Sequence, residues 1–424
     1  MRILILGSGG REHAFAYALN KSPLCKGLFV APGNAGTAQI AENLALDPND
    51  FEAVKAAVLK QSINMVIVGP EAPLVEGIVD FFKLDSALKN VLIIGPDKAA
   101  AQLEGSKDFA KEFMQQYGIP TAEYLSVTPK YIEEGLSFLE RMQAPYVLKA
   151  DGLAAGKGVL ICDDLAEAKK QLQAMLGGKF GAASRKVVIE EFLQGIELSV
   201  FVLTNGKDYK ILPAAKDYKR IGEGDTGLNT GGMGAVSPPP FATDEFIKKV
   251  EEQIVKPSIF GINQRKMDYC GFLFIGLMKV GDEPKVIEYN VRMGDPETEV
   301  VLPRIASDVV ELLSSIKTDA WKDTNLEILN ETAVTVMMVS EGYPEAYQKG
   351  FELHLPKTPP ADTLLFHAGT RLKDNKILSA GGRVICATAL DNSLQKALAK
   401  SYQLVEKVDF EGKKFRRDIG KDLF

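Results

Sequence analysis

Histidine is scarce in this sequence: three in 424 residues, at His13, His354 and His367, too scattered for a metal cluster. Four cysteines, Cys25, Cys162, Cys270 and Cys386, lie far apart with no CxxC spacing. That excludes a zinc site and a disulfide framework, and reads as buried, reduced thiols. No apolar run approaches the roughly 20 residues that cross a bilayer. The apolar opening Met1–Leu6 stops at Gly7, too short for a signal h-region, so no membrane association and a cytoplasmic location are expected. A basic excess is also missing. Fifty Lys and Arg stand against 56 Asp and Glu, a net charge of −6, which argues against a protein that wraps nucleic acid. No fixed-period repeat or low-complexity tail is present. What remains is ordinary globular composition, 46% hydrophobic and 25% charged, in a chain long enough for several domains.

The first hundred residues alternate short apolar runs (Arg2–Leu6, Gly27–Val30, Met65–Val68, Val91–Ile94) with helical patterns such as Glu12–Asn20 and Asp50–Gln61. Strands alternating with helices predict a doubly wound parallel sheet over residues 1–102. Each run ends in a glycine or proline turn, where such sheets bind ligands. A second region, 103–328, opens with a helix at Ser106–Tyr117 and contains paired strands. Its stretch 213–240 reads as a long aperiodic loop, and a helical segment runs from Glu297 to about Ser315. Residues 329–424 read as a small α+β domain of several strands and two helices.

The first turn, Gly7-Ser8-Gly9-Gly10-Arg11-Glu12-His13, approaches GxGxxG but places Glu12 at the third glycine. The second strand ends Val30-Ala31-Pro32, without the acid that holds a dinucleotide ribose, so NAD is rejected. Free N–H groups at the helix start still favour a phosphate, against the alternative of a tight turn with no ligand. Pro32–Gly36 and Glu71 tilt the reading toward a small phosphosugar, Glu71 accepting from ribose hydroxyls; a solvated loop acid is the alternative there.

Lys149–Val159 is not a P-loop. Its spacing is one residue short, no Ser or Thr follows Lys157, and a strand comes next. A strand–loop–strand with small residues bracketed by Lys149 and Lys157 describes a flap, Asp151–Gly158, whose backbone approaches phosphate oxygens. Lys107 opposes the dipole of its own helix by a few tenths of a kcal/mol at roughly that scale, and is either a surface lysine or one kept for an anion. In Ile287–Arg292, period two puts Glu288, Asn290 and Arg292 on one face. A carboxylate beside an amide oxygen suits Mg²⁺ shared with ATP phosphates, and Arg292 suits a carboxylate. A half-exposed strand with a polar face is the alternative, disfavoured because Phe272–Ile275 opposite is apolar on both faces. Val188–Leu193 reads as a hinge whose backbone meets adenine, with Glu197 near the nucleotide ribose; acids that merely end strands are the alternative.

Together these segments closely resemble the glycinamide ribonucleotide synthetase family of ATP-grasp enzymes over nearly the whole chain. The matching runs are Gly7–His13, Ala31–Gly36, Val68–Leu74, Leu103–Lys107, Lys149–Val159 and Asn229–Gly234. Arg292-Met293-Gly294-Asp295-Pro296-Glu297-Thr298 is the most diagnostic against other ATP-grasp enzymes, and Leu228 departs where proline is expected. The resemblance implies an N-terminal Rossmann-like (preATP-grasp) domain, a central ATP-grasp domain with a mobile flap subdomain at about 121–193, and a small C-terminal domain. It implies ATP with Mg²⁺ or Mn²⁺, the substrates glycine and 5-phosphoribosylamine, and a glycyl phosphate intermediate in purine biosynthesis; a monomer is expected. Carried over, ATP falls to Lys107, Lys149, Gly152, Gly156, Lys157, Gly158, Glu190, Phe192, Leu193 and Glu197, and the metal to Glu288 and Asn290. Arg292, Lys149, Asp217 and Lys219 fall to glycine and the transferring phosphoryl. Gly9, Gly10, Arg11, Glu12, Asn34, Gly36, Glu71, Asn229 and Gly232, with Arg292, fall to the other substrate contacts. His367 and the Gly381–Arg383 turn either close that pocket or form a structural turn.

Overall fold

A computed structural model describes residues 1–153, 158–181 and 185–424. Strands Arg2–Gly7, Gly27–Pro32, Glu42–Asn43, Met65–Val68 and Leu92–Pro96 pair in parallel. The chain starts mid-sheet and winds outward both ways, so the expected doubly wound sheet is present. Ile3, Leu4, Ile5 and Leu6 are all fully buried, as a parallel strand covered on both faces requires. The two-residue strand Glu42–Asn43 has no apolar signature and was not expected.

The sheet continues past this unit. The edge strand Leu92–Pro96 pairs antiparallel with Tyr269–Val280 through Gly95–Cys270 and Pro96–Tyr269. Tyr269–Val280 then pairs with Ile196–Thr204 and Glu283–Asn290. Covering an exposed edge in this way removes a row of unpaired backbone groups. Alternation along Tyr269–Val280 feeds both cores: Phe272 and Phe274 join one, Leu273 and Ile275 the other. Full burial of each such side chain contributes roughly 1.5–3 kcal/mol, which makes this strand the common wall of the molecule.

The flap subdomain is a separate antiparallel sheet in the order Tyr124–Val127, Val187–Glu191, Tyr146–Ala150, Val159–Cys162. Helices Ile132–Arg141 and Leu165–Leu176 back it around a core that includes Leu139, Leu148, Leu172 and Ile189. Gly156 and Lys157 lie outside the described residues.

Three expectations are corrected. Residues 213–240 are not one loop but carry strands Lys216–Asp217, Arg220–Gly222, Thr226–Asn229 and Gly234–Ser237. Arg220–Gly222 pairs with Thr226–Asn229, and Lys216–Asp217 with Gly234–Ser237, which also pairs with Ala333–Val336 inside the sheet that holds Arg383–Asp391 and Thr363–His367. The helical segment from Glu297 breaks into Thr298–Val301, a 3₁₀ turn at Leu302–Arg304 containing Pro303, and Val309–Ser315. The C-terminal region has one α-helix, Leu394–Glu406, and only a 3₁₀ turn at Lys421–Leu423 where a second helix was expected. Among the described residues no helix is long and apolar enough to cross a membrane.

Candidate active site

The helix Lys107–Gln116 starts at Ser106, whose Oγ accepts from Phe109 N and donates to Asp151 Oδ1 (2.9 Å). The same Asp151 oxygen accepts from Asp108 N (2.8 Å), and Lys107 N donates to Asp151 O (3.2 Å). The base of the glycine-rich loop therefore docks on a helix N-terminus, where a carboxylate is favoured. Ala150 N donates to Gly158 O (2.8 Å), tying the two ends of the loop. Lys107 reaches back across this junction, its Nζ donating to Ala150 O (2.9 Å) and Gly152 O (3.4 Å).

Lys149 and Lys111 converge on one oxygen, Glu190 Oε2, at 2.9 and 3.0 Å. Lys111 Nζ also donates to Thr121 Oγ1 (2.8 Å). Burial lowers the Lys107 pKa and brings Lys111 down to about 8. Burial opposes the Glu190 charge, but Lys149 and Lys111 outweigh it and hold that carboxyl below its ordinary range. Sequence reasoning missed Lys111, although its spacing of four from Lys107 puts both on one helix face. Beyond Glu190, Phe192 is exposed and Leu193 buried.

The polar row forms as expected, across a bulge at Ile287: Gly276 pairs with Glu288 and Leu277 with Val286. Asn290 Nδ2 donates to Glu288 Oε1 (3.5 Å), and Arg292 Nη2 donates to Asn290 Oδ1 (3.1 Å). On the opposite face Tyr289 OH meets Ser258 Oγ at 2.7 Å. Arg292 is braced by Glu104 Oε1 (2.7 Å), while Glu104 Oε2 accepts from Val291 N (2.8 Å). Its Nε lies 3.5 Å from Glu71 Oε2 and is buried without a hydrogen bond. Burial opposes the charge on Glu288, but Lys219, Lys149 and Lys107 hold its carboxyl low. An ionised carboxylate and an amide oxygen two residues apart fit Mg²⁺, which usually takes one or two protein oxygens plus waters and phosphates. No group of three or more His, Cys, Asp or Glu forms a metal cage among the described residues.

Lys219 Nζ lies 2.5 Å from Glu197 Oε2, so the acid expected at a ribose carries an ion pair. That pairing is the first cause of Glu197's lowered pKa. Burial opposes the Lys219 charge, yet Glu197, Asp217 and Glu288 raise its pKa well above the ordinary value. Glu297 accepts from Ser199 Oγ at 3.2 Å and is almost wholly buried. Burial, then Asp217, push its carboxyl up to about 7. Asp217 is raised too, by burial first. Glu297 and Glu104 both lie in quoted signature runs, but neither received a role from sequence.

The first turn is closed on itself by Glu12. Glu12 Oε2 accepts from Gly9 N (2.5 Å), and its Oε1 from Arg11 Nε (2.7 Å). Arg11 N points to Asp295 Oδ2 at 3.5 Å. Two amides of the turn, Gly9 N and Arg11 N, thus meet the protein's own carboxylates. A Cβ on Gly69 would lie 2.0 Å from Glu12 Oε1, so the glutamate takes the space that a dinucleotide site leaves empty. Glu71, at the start of helix Glu71–Glu76, is partly exposed and faces Arg292; burial opposes its charge, but Arg292 keeps its pKa low.

Asn34 is a bracket. Its Nδ2 donates to Ser8 O (2.9 Å) and His367 O (2.8 Å), and its Oδ1 accepts from Gly36 N and Thr37 N. Those bonds consume its side chain, leaving Asn34 to order the loops rather than meet a substrate. His367 N donates to His13 Nδ1 (2.8 Å), so His367 joins the N- and C-terminal regions from a buried position. Gly36 packs against both imidazoles, and Glu299 Oε1 lies against Gly10. Arg383 Nη1 meets Asp295 Oδ1 at 3.0 Å and donates to Gly231 O at 2.6 Å. Gly232, at φ 117°, sits where a Cβ would strike Pro296, while Asn229 is exposed on the ribbon Thr226–Asn229.

Comparison with known proteins agrees along the chain. Profiles described as phosphoribosylglycinamide synthetase N domain, ATP-grasp (A) domain and C domain match residues 1–104, 105–298 and 333–422. The chain is 45% identical to the phosphoribosylamine–glycine ligase of Pasteurella multocida, covering 99% of this chain and 97% of that one. A crystal structure of phosphoribosylamine–glycine ligase from Thermotoga maritima is 37% identical, with TM-score 0.85, covering 99% of this chain and 100% of that one. The biotin carboxylase domain of Hydrogenobacter thermophilus 2-oxoglutarate carboxylase, solved with MgADP and bicarbonate, is 16% identical at TM-score 0.71. It covers 97% of this chain and 91% of that one, and shares the fold alone.

Proposed function

The chain belongs to the phosphoribosylglycinamide synthetase family, and from that premise we propose that it joins glycine to 5-phospho-D-ribosylamine using ATP. The products are glycinamide ribonucleotide, ADP and phosphate, a step of de novo purine biosynthesis. The observation that carries this reading is the row Glu288–Asn290–Arg292, which lies between the Lys107–Lys149–Glu190 cluster and Glu71.

A carboxylate is a poor electrophile because its oxygen leaves badly. The glycine carboxylate oxygen attacks the γ-phosphorus of ATP, ADP leaves, and glycyl phosphate forms. The phosphoribosylamine nitrogen then attacks the acyl carbon, the C–O bond to phosphate breaks, and the nitrogen releases a proton. The nucleophile is a substrate amine, so the scarcity of histidine costs the reading nothing. Catalysis rests on positioning and charge neutralisation.

Lys149 leaves Glu190 to meet the phosphates, Lys111 stays on Glu190, and Lys107 holds the base of the loop. Glu288 and Asn290 would hold Mg²⁺ (Mn²⁺ has the same donor preference), which would neutralise charge on the phosphoryl oxygens. Phe192, Leu193 and the backbone after Glu190 bound the adenine. Arg292, pinned by Glu104, grips the glycine carboxylate, and Asp217 with Glu297 faces its ammonium group. Keeping that ammonium protonated denies it the acyl phosphate and leaves the reaction to the less basic ribosylamine. Glu71 accepts from the acceptor's ribose hydroxyls. The flap subdomain, carrying Lys149 and Glu190, shields the acyl phosphate from water.

Product identity tests the whole reading. With ATP and Mg²⁺, phosphate release is expected to require both glycine and phosphoribosylamine and to yield glycinamide ribonucleotide. Equal turnover with alanine, or none with glycine, would overturn the substrate assignment.

A further inference from the structure

Lys216 to Arg220 runs extended. Lys216 and Asp217 pair with Val236 and Ala235, Tyr218 N donates to Gly234 O (3.0 Å), and Thr230 N donates to Lys219 O (2.8 Å). Side chains along such a run alternate. Asp217 and Lys219 face the cleft, where Lys219 meets Glu197. Lys216 and Tyr218 point the other way and are buried. There both end on one carboxylate: Tyr218 OH donates to Asp422 Oδ1 (2.6 Å), and Lys216 Nζ lies 3.1 Å from Asp422 Oδ2.

A second clamp follows along the same segment. Arg416, 2% exposed, donates from Nη1 to Asp225 Oδ1 (2.7 Å) and to Arg220 O (3.1 Å). Its Nε and Nη2 hold Asp418, whose Oδ2 accepts from Gly224 N (2.8 Å). Arg417 N donates to Glu223 Oε1 (3.1 Å). Six residues of the 216–225 segment are thus gripped by four residues between 416 and 422.

We propose that residues 416–422 act as a register lock for the loop that carries Asp217 and Lys219, with Asp422 as its principal positioning residue. Lys216–Asp217 is a two-residue strand flanked by the Ala215–Ser199 bridge and the Tyr218–Gly234 bond, and a one-residue slip would exchange its two faces. Such a slip would turn Lys216 and Tyr218 into the cleft and take Asp217 and Lys219 out of it. A carboxylate that engages residues i and i+2 with its two oxygens opposes that slip. The inference rests on the reading that Asp217 and Lys219 serve glycine and the transferring phosphoryl.

Steady-state kinetics of Asp422→Ala, Lys219→Ala and the double variant test it, with thermal melts beside them. For Asp422→Ala, kcat/KM for glycine is expected to fall about tenfold, since small misplacements of a reacting group cost that much or more. KM for ATP should stay within about twofold, and the double variant should be no worse than Lys219→Ala alone. Tyr218→Phe removes one hydroxyl and keeps the ring, so it carries the test should Asp422→Ala fold poorly; a loss of about threefold in the same direction is expected. Unchanged glycine kinetics beside an impaired Lys219→Ala would overturn the lock, as would equal losses for ATP and glycine or fully additive losses in the double variant. A silent Lys219→Ala would instead overturn the reading of the loop, and this inference with it.

Discussion

The two halves of the cleft carry positive charge in different ways. The half proposed for the nucleotide uses lysines: Lys111 and Lys149 share one oxygen of Glu190, and Lys107 rests on two backbone carbonyls. The half proposed for the other substrates uses arginines, each fixed by a carboxylate and a carbonyl. Arg11 is held by Glu12 and Met293 O, Arg292 by Glu104 and Met293 O, and Arg383 by Asp295 and Gly231 O. An ammonium on a four-carbon stem changes partners readily, whereas a planar guanidinium fork keeps its geometry. In the proposed reaction a phosphoryl group moves on the lysine side while the substrates must stay aligned on the arginine side.

The largest effect expected from that contrast is at Lys149. Lys149→Ala should lower kcat by about 10²–10³, the usual result of removing a group aimed at developing charge. Single-turnover phosphate release measures it, and a fall below about threefold would end the distinction between a working lysine half and a bracing arginine half. Glu104→Gln comes next, because it keeps the shape of the brace but removes the charge opposite Arg292. The loss of a charge-assisted bond of roughly 1.5–3 kcal/mol predicts a ten- to hundredfold lower kcat/KM for glycine. ATP KM should hold. Equal shifts for both substrates would mean that the halves are not separable.

Glu297 sharpens the comparison by pH. Its folded-state pKa, raised to about 7 by burial and Asp217, faces Lys219, Arg292 and the Ser199 hydroxyl. As pH rises through 7 it ionises, so glycine KM should fall over that window in the parent and stay flat in Glu297→Gln, about fivefold higher above pH 7 for a lost charged partner. The stability sign is opposite. For an acid raised in the folded state, the stabilisation present below the unfolded pKa is lost as pH rises through the folded one. Glu297→Gln should therefore be more stable than the parent above pH 7, by about 1–2 kcal/mol in urea titrations. A variant that is less stable at every pH would remove the buried charge from Glu297.

Much of this was legible in the residues. The doubly wound order follows from four apolar runs ending in glycine turns, and the Glu288–Asn290–Arg292 row from period two, because both are local patterns. The missed groups act through partners far along the chain. Glu104 meets Arg292 188 positions away, and Glu190 collects a lysine from each of two elements. Gly234–Ser237 becomes a strand between Lys216–Asp217 and the distant Thr332–Ser340. Glu12 is a further case: it breaks the glycine motif in the sequence, and in the fold its carboxylate caps Gly9 N at the helix start.

The smallest expected effect concerns how the arginine half is fastened to the C-terminal region. His13 Nδ1 accepts from His367 N, so the proton of the neutral His13 ring sits on Nε2. Burial, with His367 adding to it, holds His13 down at about 3, and burial holds His367 at about 4. Both are depressed, so the stabilisation is complete above the unfolded pKa near 6.5 and is lost as pH falls toward the folded values. A full proton difference corresponds to about 1.4 kcal/mol per pH unit, and each group reaches it only well below 6.5. Between pH 6.5 and 5.5 each of the two histidines should cost about 1 kcal/mol of stability in chemical denaturation, about 2 kcal/mol for the pair. His13→Gln retains an acceptor for His367 N but cannot take the proton, so its profile over that window should be flatter. ATP affinity should be level in both proteins, since no histidine faces the lysine cluster. Equal slopes in parent and variant would place the acid-sensitive fastening away from His13.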